Sequence, residues 1–247
     1  MPHRLNARAP SDCQSCGWRP QHMFCNLSPE VLADFSEIGT SIRLPQKAVL
    51  FREGERSDRI YILCEGKAKL SCTSKDGKTL NLRIAFGGDV LGLSGVISGS
   101  PFEVTAEALE PVSVKLIHRP EFMSFLERHG EASMHAAKAL SEEYKAAYSD
   151  ARRLALSSSV TSRLAGLLLE WGRSASCTKA TSVPRPASEP EMRFNMVLTH
   201  DDLAGFTGSS RETITRALGK LQKDKLIEIR GVAVRILAPD KLAAIAV

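Results

Sequence analysis

The chain lacks any apolar run of the ~18 residues that a bilayer-spanning helix needs. Its first residues, MPHRLNARAPSD, are polar and lack the apolar core of a secretory signal. Both absences point to a cytoplasmic protein with no membrane partner. No catalytic triad, phosphate-cradling glycine loop or pair of carboxylates spaced for acid–base work is evident, so nothing in the sequence points to an enzyme. There is no long internal repeat and no extended low-complexity tract. Hydrophobic residues make up 43% of the 247, which argues against wholesale disorder and allows one or two domains with a substantial core.

Charge of one sign is not in large excess, at +5 overall, but it is unevenly placed. From Arg152 to Val247 there are 15 Lys and Arg against 9 Asp and Glu, so the rest of the chain is slightly negative. The positive end holds LTHDDLAGFTGSSRETITRALGKL, Leu198 to Leu221. This reads as two short helices joined at Gly208, with Leu203 and Phe206 on the apolar face of the first. Ser209 or Ser210 starts the second, and Ser209 with Glu212 fits a capping box. Ile214, Leu218 and Leu221 recur at helical spacing and face the core. Ser210, Arg211, Glu212, Thr215 and Arg216 are left exposed on the first turns, the part that a helix-turn-helix lays against base edges. Arg pairs with two acceptors of guanine and Glu accepts from the cytosine amino group. LIEIRGVAVRIL follows, alternating around Gly231 as a β-hairpin wing.

Upstream, Ser28-Pro29-Glu30 opens a short helix through about Ile38, with Leu32 and Phe35 inward. RIYILCEG, KAKLSCTS, TLNLRIAF, EVTAEAL and VSVKLI are strand-like and separated by glycine-rich turns, a pattern of a compact β-barrel or roll. From Pro120 to about Leu156 the pattern turns helical. Ala137, Tyr144 and Ala151 form one set seven apart; Leu140, Ala147 and Leu154 form a second, as the a and d positions of a coiled coil do. The same spacing suits a helix packed on its own roll. Ser157-Ser158-Ser159 marks a break, VTSRLAGLLLEWG the next helix, and Ser174 to Glu191 a Ser- and Pro-rich loop. The divisions are therefore 1–26, a cysteine-rich segment; 27–119, a β-roll; 120–156, a dimerisation helix; and 157–247, a winged helix-turn-helix.

Six cysteines are present, and Cys13, Cys16 and Cys25 cluster near the start, while Cys64, Cys72 and Cys177 are scattered. In a reducing compartment a cluster favours metal or redox chemistry over structural disulfides. Cys13-Gln-Ser-Cys16 holds two thiolates on one turn, both able to reach a metal. Adding His22 and Cys25 completes a four-ligand set suited to zinc. A metal-free thiol switch on the same pair is a further alternative. A redox enzyme is disfavoured because no thioredoxin-like βαβ unit surrounds the pair.

Three stretches resemble the Crp/Fnr family of bacterial transcription regulators over nearly the whole chain. FREGERSDRIYILCEGKAKL is similar to the β-roll hallmark, with Gly54 and Gly66 at turns. FGGDVLGLSGVISGSPFEVTAEALE is similar to the later half of the roll, and SSRETITRALGKLQKDKLIEIRG to the recognition helix and wing. The resemblance implies an α+β chain: a cyclic-nucleotide-binding-like roll, a long dimerisation helix and a C-terminal winged helix-turn-helix. It implies a homodimer reading palindromic double-stranded DNA, with half-sites about one helical turn apart, and contact with RNA polymerase.

Cyclic-nucleotide-binding members carry Gly-Glu-Leu and, some ten residues on, Arg-Ser or Arg-Thr. Here Leu93 stands for the Glu, and Glu103 and Val104 for the Arg-Ser. A carboxylate there repels a phosphate, so cAMP is not the expected effector; Leu70, Cys72, Leu93 and Phe102 are expected to fill the roll. GDVLGLSGVISGS is closer to the oxygen-sensing Fnr branch. That branch uses three N-terminal cysteines and a later one for an oxygen-labile 4Fe-4S cluster, whose loss weakens the dimer. By resemblance, Cys13, Cys16 and Cys25 are three ligands. The gap before Cys25 is longer than in Fnr, and Lys115 stands where the later cysteine belongs. Cys64, Cys72 or an acidic oxygen remain as candidates for the fourth ligand. A structural metal with haem or an organic effector in the roll is the alternative. Asp150 matches an acid of the Fnr dimer helix that opposes association. RETxxR is nearer the Crp version, which implies a TGTGA-like half-site ahead of a TTGA-like one. Arg211, Glu212 and Arg216 then read bases, with Thr215 on the same face, and Ser210 and Thr213 hold phosphates.

Overall fold

The computed structural model describes Cys13, Cys16, residues 24–177 and residues 192–246. His22 and residues 178–191 of the expected loop lie outside the described residues. The chain divides into two compact units, Met1–Ala147 and Tyr148–Val247.

The first unit opens with α1, Pro29–Glu37, whose proline sits in the first turn and whose Leu32 and Phe35 are buried. Eight strands follow: β1 Thr40–Leu44, β2 Val49–Phe51, β3 Arg59–Glu65, β4 Lys67–Thr73, β5 Thr79–Phe86, β6 Val90–Leu91, β7 Thr105–Ala108 and β8 Val112–His118. They form two antiparallel four-stranded sheets, ordered β1-β8-β3-β6 and β2-β7-β4-β5. The five longer strand-like stretches of the sequence all appear. A short helix, α2, Leu93–Ser98, interrupts the stretch expected to be roll. Alternation along β3 divides two apolar cores. Tyr61 and Leu63 join Phe51, Leu70 and Phe102 between the sheets. Ile60 and Ile62 face the other way, onto Phe24, Phe35, Phe122 and Phe125. Gly66 makes the β3–β4 turn at φ 88°, and a Cβ there would meet the Pro111 carbonyl at 2.6 Å.

The segment expected as one helix is two, α3 Arg119–Arg128 and α4 Gly130–Leu156, broken at His129, which is extended (φ −125°, ψ 93°). The heptad assignment also needs correcting. Leu140 packs against the outer core and Leu154 is half-buried, so they do not supply a free seam. The exposed apolar face instead runs through Met134 (57% exposed), Ala137, Tyr144 (63%) and Tyr148 (59%).

In the second unit, α5, Val160–Cys177, extends four residues into the expected loop. Then come β9 Met192–Asn195, α6 His200–Thr207, α7 Arg211–Lys223, β10 Ile227–Arg230, β11 Ala233–Ile236 and α8 Pro239–Ala246. The wing is a three-stranded sheet, β10-β11-β9, because β9 adds to the expected hairpin. Trp171 meets Phe206 edge-on at 5.3 Å, closing α5 onto α6.

Candidate functional site

The DNA-facing end is built by two caps. At α6 the Thr199 side chain accepts from the Asp202 N–H at 3.1 Å and the Asp202 carboxylate accepts from the Thr199 N–H at 3.0 Å, a full capping box. Gly208 ends α6 in the left-handed region at φ 59°, a conformation that favours glycine. The expected box at Ser209 and Glu212 is not the one formed. Ser210 is the N-cap of α7 and accepts from the Thr213 N–H at 3.3 Å, while the Ser209 hydroxyl pairs with that of Thr207 at 2.8 Å. Glu212 is instead held by its own backbone N–H and by a hydrogen bond from Ser210, which keep its carboxyl below the usual range.

With Ile214, Ala217, Leu218 and Leu221 buried, α7 presents Arg211, Glu212, Thr215 and Arg216 outward. These side chains are not equally disposed. Arg211 stands 3.8 Å from Asp201, both well exposed, a pairing worth little in water. The Thr215 hydroxyl donates to the Arg211 carbonyl at 2.9 Å and lies 2.8 Å from His200 Nδ1. Thr215 is thus tied to α6, and His200, which the sequence reading passed over, belongs to the same surface. Only its position at the start of α6 could have signalled it, since backbone N–H groups at a helix start attract anions. The Ser210 and Thr213 hydroxyls lie 3.1 Å apart.

At the other end of the chain, Phe24 anchors the cysteine-bearing segment. It is 2% exposed, with ring centroids 5.5 Å from Phe35 and 5.8 Å from Phe122. Cys25 follows directly, and Cys25 and Cys13 both pack against this core. Burial pushes the Cys25 thiol up to about 12, with Cys64, Cys13 and Cys16 adding to the shift. Burial pushes Cys64 up to about 11, and Cys13 and Cys16 act on it too. Electrostatics thus links Cys64 on β3 to Cys13, Cys16 and Cys25 of the N-terminal segment. Cys72 lies apart, beside Glu53, and belongs to neither core. Nothing is described of the Cys177 side chain.

Lys115, buried on β8, lies among the thiols. Its ammonium donates to the Ser36 carbonyl at 2.9 Å and sits 5.3 Å over the Phe35 ring. Burial pulls its pKa down, and Cys13, Cys64 and Cys25 pull it back up. Among the described residues no three His, Cys, Asp or Glu side chains stand close enough to share a single metal ion. As a donor set, Cys13, Cys16, Cys25 and Cys64 would offer the four thiolates that an iron–sulfur cluster takes.

The place where a cyclic nucleotide would enter the roll is closed. The cavity there measures about 20 Å3 and is lined by Leu70, Gly92, Leu93, Phe102, Glu103 and Val104. Phe102 stacks on Phe51 at 4.1 Å, and its ring would lie 2.5 Å from a Cβ on Gly92. Glu103 accepts from the Ser94 hydroxyl at 3.1 Å. A larger cavity of about 350 Å3 lies alongside, bounded by Phe24, Arg83, Asp89, Leu93 and Glu143.

A paired-sheet roll, a long helix and a winged helix-turn-helix together define a DNA-binding regulatory protein. The chain belongs to the Crp/Fnr family of transcription regulators, and it is not an enzyme. Residues 162–245 match the Crp-like helix-turn-helix domain and residues 41–129 the cyclic nucleotide-binding domain. It is 28% identical to the transcriptional activatory protein AadR of Rhodopseudomonas palustris, over 94% of this chain and 91% of that one. It is 26% identical to the anaerobic regulatory protein of Bacillus subtilis, over 82% of each. The fold is similar to that of FixK2 from Bradyrhizobium japonicum, with TM-score 0.72 at 19% identity, covering 85% of this chain and 98% of that one. No helix among the described residues is long and apolar enough to cross a membrane.

Proposed function

We propose that this DNA-binding regulator responds to oxygen through a 4Fe-4S cluster held by Cys13, Cys16 and Cys25, and acts as a homodimer. The observation that carries the reading is the anchoring of Cys25 by Phe24, which brings the N-terminal thiols onto the folded roll. A bound cluster would supply redox-active iron that oxygen can oxidise. The chain's own part is to seat the thiols against an apolar wall, limit water, and balance their negative charge with Lys115. The exposed face of α4, with Met134, Tyr144 and Tyr148, suits a second copy of the chain. Two recognition helices then read a palindrome, with TGTGA-like half-sites expected first and TTGA-like ones second, and the DNA-bound dimer contacts RNA polymerase.

The closed roll supports excluding cAMP as the effector, since Phe102 takes the room and Glu103 the charge that a cyclic phosphate needs. Zinc with His22 as fourth ligand is the competing metal. The cavity of about 350 Å3, between the roll and α4, favours one second reading, a small organic effector bound there with the cysteines merely structural. Anaerobic purification with iron, sulfide and zinc analysis separates these. The cluster reading expects a broad band near ~400 nm, with iron and sulfide lost in air. One zinc per chain, indifferent to air, overturns it, and so does regulation that survives replacement of all three cysteines.

A further inference from the structure

We propose that Cys64, on β3, is the fourth thiolate ligand of this cluster, one strand over from position 115, where the family pattern would place it. The inference rests on the cluster reading above.

Three observations carry it. Alternation sets the face. Ile60 and Ile62 lie in the outer core with Phe24 and Phe35, whereas Tyr61 and Leu63 lie between the sheets. Residue 64 is next on the outer face, and the Cys64 thiol contacts the Ile62 carbonyl at 3.6 Å. Register sets the position. Ile62 pairs with Lys115 and Leu63 with Val114, but Glu65 pairs with Ser113, so a bulge falls at Cys64. The backbone N–H of Lys115 donates to the Cys64 sulfur. A sulfur from β3 therefore rests on the very residue of β8 where the Fnr branch has its cysteine. Finally, Cys64 acts electrostatically on Cys25 and is itself acted on by Cys13 and Cys16, whereas Cys72 faces Glu53.

This arrangement also explains the lysine. With the sulfur supplied from β3, position 115 is released from ligation. Its side chain carries a positive charge under Phe35 to the Ser36 carbonyl. Four thiolates around a cluster leave excess negative charge, and a buried ammonium beside them offsets it. Each iron–sulfur bond replaces one S–H, so the four protons leave to solvent as the cluster is loaded.

The test uses the full chain, loaded anaerobically with equal amounts of ferrous and ferric iron and with sulfide. Wild type is compared with Cys64→Ser, Cys72→Ser and the double variant Cys64→Ser/Lys115→Cys, with metal content, absorption and circular dichroism as readouts. Cys72→Ser should match wild type. Cys64→Ser should lose most of its iron and sulfide, by about tenfold or more, and the double variant should recover much of it because its thiol returns to the neighbouring strand. Should Cys64→Ser misfold, alkylation of the wild-type thiols keeps the question open to an answer. Cys64 should be slower to react in loaded than in metal-free protein, together with Cys13, Cys16 and Cys25. Cys64→Ser with full iron and sulfide and unchanged decay in air would overturn the assignment while leaving the cluster standing. So would equal alkylation of Cys64 in the two states while the other three are protected. A wild type that takes up no iron and sulfide would remove the cluster itself, and this inference with it.

Discussion

Arg216 and Glu143 show how differently two charged side chains can be held in one chain. Arg216 projects from the exposed face of α7, ready to meet the two acceptors of a guanine. Arg216→Ala should cost about 1–3 kcal/mol on the specific palindrome and relax base choice at one position. Fluorescence anisotropy on specific and random duplexes checks this; an equal loss on both would reassign Arg216 to the phosphates. Glu143 on α4 is mostly buried, and burial raises its pKa, with Glu103 and Asp89 adding to the shift and Arg83 opposing it. A carboxyl that holds its proton more tightly folded than unfolded costs stability as pH rises through that range. Glu143→Gln should therefore melt higher than wild type near neutral pH, and the gap should close near pH ~4, where the unfolded carboxyl is also protonated. A gap that persists into acid would mean that packing, not charge, sets the difference. Neither the burial of Glu143 nor the hold of His200 on Thr215 was legible in the sequence, because both depend on partners from other elements.

At the scale of elements, helix α4 was the least legible. Its heptad pattern fits two adjacent faces, and the sequence reading placed Leu140 and Leu154 on the free one. The structure turns Leu140 into the outer core and leaves Tyr144 and Tyr148 exposed, since the roll supplies an apolar surface that periodicity cannot see. Tyr144→Glu should weaken self-association by at least about tenfold in sedimentation, as like charges would face each other across a twofold seam. An unchanged dimer would move the interface off this face. Asp150, expected to oppose association by repulsion, accepts from Arg153 at 2.6 Å with its side chain 16% exposed. Its charge is already balanced, so Asp150→Ala should shift the monomer–dimer constant less than about threefold. A tenfold strengthening would restore the repulsive role. The strands were far easier to read: β3, β4, β5 and β8 lie within a residue of the strand-like stretches, because each packs at least one face on an apolar core. Short β6 and α2 escaped, as Gly92 and Gly99 bound a turn of helix with no periodic signal of its own.

Across the whole molecule, the β-roll and the winged helix-turn-helix were carried by motifs that extend over many residues, so single departures did not obscure them. The cysteine chemistry was only half legible. The N-terminal CxxC pair and Cys25 stand out as a cluster in sequence, whereas the place of Cys64 against Lys115 depends on the pairing of β3 with β8 and a bulge, which no linear spacing reveals. If loss of the cluster governs DNA binding, metal content and affinity must change together. The decisive measurement is anaerobic anisotropy on a duplex with two TGTGA half-sites, followed through a timed exposure to air with iron and sulfide assayed in parallel. Affinity for the palindrome should fall at least about tenfold in step with iron and sulfide, and return on anaerobic reloading. Iron-free protein that binds the palindrome as tightly as loaded protein would contradict an oxygen-responsive cluster as the control on this regulator.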